Sequence, residues 1–164
     1  MQIAPQCWLT PRARVRASAI EGLGLFATAP IAAGDVVIRL GGRLIDDAAL
    51  AALHPPYCSV MLDEGVHLLI DPAHPVRYGN HGCDPNLWHL DAVTVAARRD
   101  IAAEEELTVD YATHTGAEDW SMACACGRPS CRGRVTGADW RRADLRAAYG
   151  DHWSPALLRR IERG

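Results

Sequence analysis

Short apolar runs separated by turn residues set the pattern of the first two thirds of the chain. Residues 14–18 read as a strand, and the turn Gly22-Leu23-Gly24 runs into a second one. Ala33-Gly34-Asp35 leads into an apolar strand over residues 36–40, and Gly41-Gly42 turns the chain back into residues 43–45. Glycine turns between β-branched and aliphatic runs are hairpin signals. Asp46-Asp47 predicts the cap of a short helix over residues 48–53, ended by His54-Pro55-Pro56. Residues 66–70 and 88–97 are β-rich, and a turn at residues 100–105 feeds a strand over residues 107–111 that ends in a tyrosine. Beyond residue 131 the period becomes helical. Trp140, Leu145 and Tyr149 share one face of a helix predicted over residues 139–149 and stopped by Gly150, and Ser154-Pro155 opens a last helix to residue 163. The expectation is a mainly β or α+β body of small sheets with helices at its C-terminal end.

Composition narrows the class. A chain of 164 residues fits one domain, able to bury roughly 70% of its unfolded surface. No apolar run approaches the ~20 residues of a membrane span, and no secretory signal pattern opens the chain, so a soluble cytoplasmic protein is expected. Six cysteines are then better read as thiols than as three disulfides, because two of them stand only two residues apart. Charge is uneven: residues 46–119 hold 14 acids against 3 arginines, and residues 128–164 hold 9 arginines against 4 acids. An acidic middle favours a basic protein or peptide as partner and disfavours nucleic acid; a solvated surface without a partner is the alternative. All 17 basic side chains are arginine, so the chain carries no lysine amine of its own.

The chemistry-bearing residues gather in three segments. Cys124-Ala-Cys126 with Cys131 offers three sulfurs on one side of a zinc ion, and a structural site takes four ligands in a tetrahedron. Cys83, in the polar and turn-rich segment around Asn80-His81, is the expected fourth; Cys7 and Cys58 are left as ordinary thiols. One zinc shared between these segments would clamp the end of the chain over the Asn80-His81 pair. Gly22-Leu23-Gly24 permits close backbone approach to a ligand but lacks the third glycine of a dinucleotide fingerprint, which argues against a Rossmann site. Glu106-Leu-Thr-Val109-Asp110-Tyr111 is the third segment. Taken singly these are a β-turn, a loop satisfying its own hydrogen bonds and a strand end.

Together, Asn80-His81-Gly-Cys83-Asp-Pro85-Asn86, the Glu106–Tyr111 segment and the cysteine-bearing tail resemble the SET-domain lysine methyltransferases in order and distance, over roughly residues 12–164. The resemblance implies a fold of several small β-sheets with a pseudoknot at the Asn80-His81 segment. It implies a SET domain over residues 10–113 and a post-SET zinc segment with C-terminal helices over residues 114–164, built as one structural unit. It implies S-adenosylmethionine held by Gly22, Leu23, Gly24, Tyr78, Asn80, His81 and Tyr111, with Tyr111 as catalytic tyrosine. Tyr57 matches a second tyrosine of the lysine channel, so the substrate pocket is expected from Tyr57, Val109 and Tyr111. One structural Zn2+ on Cys83, Cys124, Cys126 and Cys131 completes the picture. Some positions depart from the family pattern: Glu21 replaces a basic residue, Gly79 an aliphatic one and Gly82 a serine. Val109 stands where a ring commonly narrows the far end of the pocket, which points to a dimethyl or trimethyl product. The minimal form implies no additional zinc-binding segment or reader module. The expected activity is methyl transfer to the ε-amine of lysine in a protein. The rivals are a SET-like binding module without turnover, a small-molecule amine methyltransferase, and a zinc-knuckle interaction protein, which would explain the cysteines and nothing else.

Overall fold

Strands of five residues or fewer carry the architecture. The computed structural model describes residues 3–164. In chain order these are β1 (Trp8–Leu9), β2 (Ala13–Ala17), β3 (Leu23–Ala27), β4 (Val36–Arg39), β5 (Arg43–Ile45), α1 (Asp47–Ala51), β6 (Ser59–Asp63), β7 (Val66–Leu69), β8 (Asn80–His81), β9 (Leu87–His89), β10 (Thr94–Ala97), β11 (Glu106–Val109), β12 (Ser121–Ala123), β13 (Arg134–Thr136), α2 (Ala143–Tyr149) and α3 (Pro155–Arg163). They form four sheets, ordered β1-β4-β10-β9, β2-β3-β11-β8, β5-β7-β6 and β12-β13. Pairings are antiparallel except β8 with β11, where Asn80 lies beside Thr108 and His81 beside Val109. The three larger sheets face one apolar core around Leu25, Val37, Leu68 and Leu107. A second, smaller cluster joins Ala112, Val135, Tyr149, Trp153 and Leu157 and seats the tail. No helix among the described residues is long and apolar enough to cross a membrane.

Most predicted elements are present, and two differ for identifiable reasons. The strand expected to end in Tyr111 stops at Val109, and Tyr111 opens a 3-10 turn, Tyr111–Thr113. Asp110 causes the break: its carboxylate accepts from the Ala112 N–H at 3.0 Å, capping the turn as an N-cap does. The helix expected over residues 139–149 is split into a 3-10 turn, Asp139–Arg141, and α2, with Arg142 extended (ψ 124°) between them. Asp139 is drawn back toward β13 by the Thr136 hydroxyl, which donates to it at 2.8 Å, and Arg142 turns its guanidinium onto Asp144. The short α1 and the final α3 stand near their expected places, with Asp46 accepting from Ala49 N–H at 2.8 Å.

Charge asymmetry acquires a structural meaning here. Several acids of the middle are occupied by arginines of the tail: Arg159 pairs with Asp63, Arg160 with Glu64, Arg141 with Glu118 and Arg132 with Asp110. The first three are partly or largely exposed, a class of pair that contributes about 0–1 kcal/mol each. The fourth is different. Arg132 donates to both Asp110 oxygens at 2.6 and 2.8 Å, and both side chains are buried. Burial alone would raise the Asp110 carboxyl, but the guanidinium overrides it and holds it below the ordinary carboxylate range.

Arg132→Ala should therefore destabilise the protein by about 3–5 kcal/mol, because it leaves a buried carboxylate without its cation. Arg159→Ala should cost less than about 1 kcal/mol. Denaturant unfolding of the two variants beside wild type checks the contrast; equal small losses would show that Asp110 is solvated in solution.

Candidate active site and metal centre

Tyr111 stands where two cavities meet. The larger, about 210 Å³, is lined by Tyr57, Val60, Ile70, Val76, Val109, Tyr111, His114 and Trp120 among others. The smaller, about 170 Å³, is lined by Ile20, Glu21, Asn80, His81, Tyr111 and residues 122–125. Tyr111 is the residue common to both. Its hydroxyl donates to the Gly79 carbonyl at 2.7 Å, and burial pushes its pKa up, so the phenol stays protonated.

Tyr57, Val109 and Tyr111 share the larger cavity, with Tyr57 41% exposed at its wall. Asn80, His81 and Tyr111 share the smaller one. Gly22, Leu23, Gly24 and Tyr78 are not brought to either lining. The glycine turn is instead laced to Asn80, whose amide donates to the carbonyls of Glu21 and Leu23 at 3.2 and 3.0 Å. Gly24 has its own steric reason: a Cβ there would lie 2.2 Å from Glu106 Oε1, a carboxylate bonded by Ser18 Oγ and Asn80 Nδ2. Gly82 is likewise required, since a Cβ would sit 2.9 Å from Thr108 Oγ1. Tyr78 packs against the main core with the Arg77 guanidinium 5.1 Å above its ring.

His81 links the smaller cavity to the cysteines. Its Nδ1 accepts from the Tyr111 N–H at 3.2 Å, so the ring hydrogen resides on Nε2, 3.3 Å from Cys83 Sγ. Burial lowers the imidazole pKa to about 4, so the ring is neutral and the 3.4 Å approach of Asp110 Oδ1 is not an ion pair.

The sulfurs of Cys83, Cys124, Cys126 and Cys131 all lie within 4.8 Å of one another, with Cys83 and Cys124 3.7 Å apart. Four thiolates around zinc at ~2.3 Å place sulfurs about 3.8 Å apart, so the cluster fits a tetrahedral ion. Backbone N–H groups of Arg132 and Gly133 point at Cys83 and Cys131 sulfurs at 3.4 and 3.5 Å, an arrangement that favours thiolates. Cys7 and Cys58 stand apart from it, and burial raises both thiols, Cys58 to about 11.

Residues 22–112 match the SET domain family. The chain belongs to that family. Its relatives include histone-lysine N-methyltransferase ATX2 of Arabidopsis thaliana, 33% identical over 80% of this chain and 14% of that protein. Another is the H3 lysine-4 specific histone-lysine N-methyltransferase of Saccharomyces cerevisiae, 32% identical over 71% of this chain and 12% of that protein. The chain thus spans a small part of the curated relatives it matches. Among solved structures, the methyltransferase domain of human SETMAR superposes with TM-score 0.60 at 21% identity, covering 76% of this chain and 58% of that one, which supports a SET-type fold.

Some residues around the two cavities escaped the sequence reading. Asp110–Arg132 was hidden because its halves lie 22 residues apart, although each adjoins a residue already singled out. Residues 122–125 line the smaller cavity because β12 pairs with β13, a hairpin too short for periodicity to reveal. Metal analysis should return about one zinc per chain, and Cys126→Ser should loosen residues 114–164 more than the β body. Hydrogen exchange on both forms reads this; equal protection in the tail of the variant would rule out a metal clip.

Proposed function

We propose that the chain is a catalytic domain that transfers methyl groups from S-adenosylmethionine to the ε-amine of lysine in a basic protein or peptide. The observation that carries this reading is Tyr111 in the wall of both cavities. S-adenosylmethionine, when bound, supplies a methyl group activated on a sulfonium. Asn80, His81 and Tyr111 are the residues suited to hold it in the smaller cavity, with Gly22, Leu23, Gly24 and Tyr78 behind them. His81 is neutral, and so adds no positive charge beside a sulfonium.

The larger cavity suits a lysine side chain. Its aliphatic wall of Val60, Ile70, Val76 and Val109 desolvates an incoming ammonium, which lowers the amine pKa and favours the neutral nucleophile. The rings of Tyr57, Tyr111 and Trp120 offer π faces to positive charge as it builds. Tyr111, kept protonated by burial, has its one O–H committed to the Gly79 carbonyl, so its oxygen offers lone pairs to developing positive charge and does not act as a base. Residues 10–113 and the zinc-bearing residues 114–164 work as one unit in this reading, because the smaller cavity draws on both.

Purified protein should transfer label from radiolabelled S-adenosylmethionine to a lysine in a panel of basic proteins, and not to free amino acids. Tyr111→Phe should retain binding of the cofactor product and lose about 100-fold in turnover, the scale of one preorganised electrostatic contact acting in the transition state. His81→Ala should weaken cofactor binding about tenfold or more, as judged by calorimetry. Similar modest effects of the two changes would favour a binding module without turnover.

Val109→Tyr should shift product mass toward monomethyl lysine, because a ring would refill the far end of the cavity. Monomethyl product from both forms would show that Val109 does not set the limit.

A further inference from the structure

Two histidines in the wall of the larger cavity have no role in the reading above. His89 and His114 are both buried, and His89 Nε2 lies 3.1 Å from His114 Nδ1. Burial lowers the two rings to about 4 and about 3, so both are neutral imidazoles. A hydrogen bond between two neutral rings needs one N–H and one lone pair, and its direction decides what the second ring shows to the cavity.

The tautomer of His89 decides that direction. Its Nε2 faces His114 while its Nδ1 is buried with no hydrogen-bond partner, and the nearby Asp91 carboxylate favours protonation of the ring. With Nδ1 protonated, His89 Nε2 accepts. His114 Nδ1–H then donates, which leaves the Nε2 of His114 as a bare lone pair. That nitrogen meets no hydrogen-bonding group among the described residues. The ring lines the cavity with its centroid 5.7 Å from that of Tyr111.

We propose that His114 contacts the acceptor amine, its Nε2 taking a hydrogen bond from an amine N–H, and that His89 is a positioning residue that fixes the required tautomer. This rests on the lysine-methyltransferase reading. An amine held by its N–H on a side wall has its lone pair free to point toward Tyr111 and the cofactor side. A neutral lysine amine has two N–H bonds, monomethyl-lysine one and dimethyl-lysine none. His114 therefore favours the early transfers and contributes nothing to the third.

The tautomer is read directly by long-range proton–nitrogen NMR on protein labelled with 15N-histidine. His114 should carry its hydrogen on Nδ1 and lose that preference in His89→Leu; a hydrogen on His114 Nε2 in the wild type overturns the proposal whatever the activity. Kinetics supply the second arm, on synthetic histone H3 N-terminal peptides with unmodified, monomethylated or dimethylated lysine. His114→Phe should lower kcat/KM about tenfold on the unmodified peptide, less on the monomethyl form and not at all on the dimethyl form. His114→Gln, whose amide oxygen also accepts, should recover most of the loss. Cofactor-product affinity should match wild type in both variants. An active protein whose kcat/KM is indifferent to His114→Phe, or equally reduced on all three peptides, overturns this proposal alone. A wild type that binds the cofactor product but labels no panel protein removes the methyltransferase reading and this proposal together.

Discussion

The buried contact between Asp110 and Arg132 joins every functional part of this molecule. Asp110 immediately precedes the tyrosine shared by the two cavities, and Arg132 immediately follows a cysteine of the four-sulfur cluster. The carboxylate also accepts from the Tyr149 hydroxyl at 2.8 Å and from the Ala112 N–H at 3.0 Å, so β11, the turn after it, α2 and the cysteine tail converge on two oxygens. A pair of this kind contributes little over an apolar substitute, but it allows one arrangement where oily side chains would allow several.

That single arrangement explains how a short strand supports two cavities. Asp110 ends β11 by capping the next turn, and the turn swings Tyr111 out of the sheet's pleat. The ring then stands edge-on to His81, with centroids 5.5 Å apart, and tilted against His114 at 5.7 Å. One neighbour lines the smaller cavity and the other the larger. Had the strand continued, the alternation of its pleat would have given the tyrosine to one face only.

Much of this was legible before any coordinates. Glycine and proline punctuation placed β2 to β5 and α1 because local backbone preference decides those elements. The cysteine spacing drew Cys83 toward Cys124, Cys126 and Cys131 because ligand number is a constraint that sequence carries. What stayed hidden is non-local. Nothing near Arg132 says that its partner lies 22 residues upstream, and nothing near His89 or His114 marks a pair 25 residues apart. The break at Arg142 likewise follows from side chains reaching outside the helix and not from helix propensity. Gly24 looked like freedom for a ligand; its neighbour Glu106 shows it to be clearance for the protein's own side chain.

The order in which the cavity walls are encoded has a consequence for biosynthesis. Tyr57, Val109, Tyr111, His114 and Trp120 of the larger cavity have all been made by residue 120, whereas the smaller cavity needs residues 122–125, held by β13 some ten residues later. Chains emerge from the ribosome N-terminus first, and structure follows that order. A nascent chain can thus assemble the larger cavity before the smaller one exists. Only once residues 134–136 of β13 have been made can the newborn protein form both cavities.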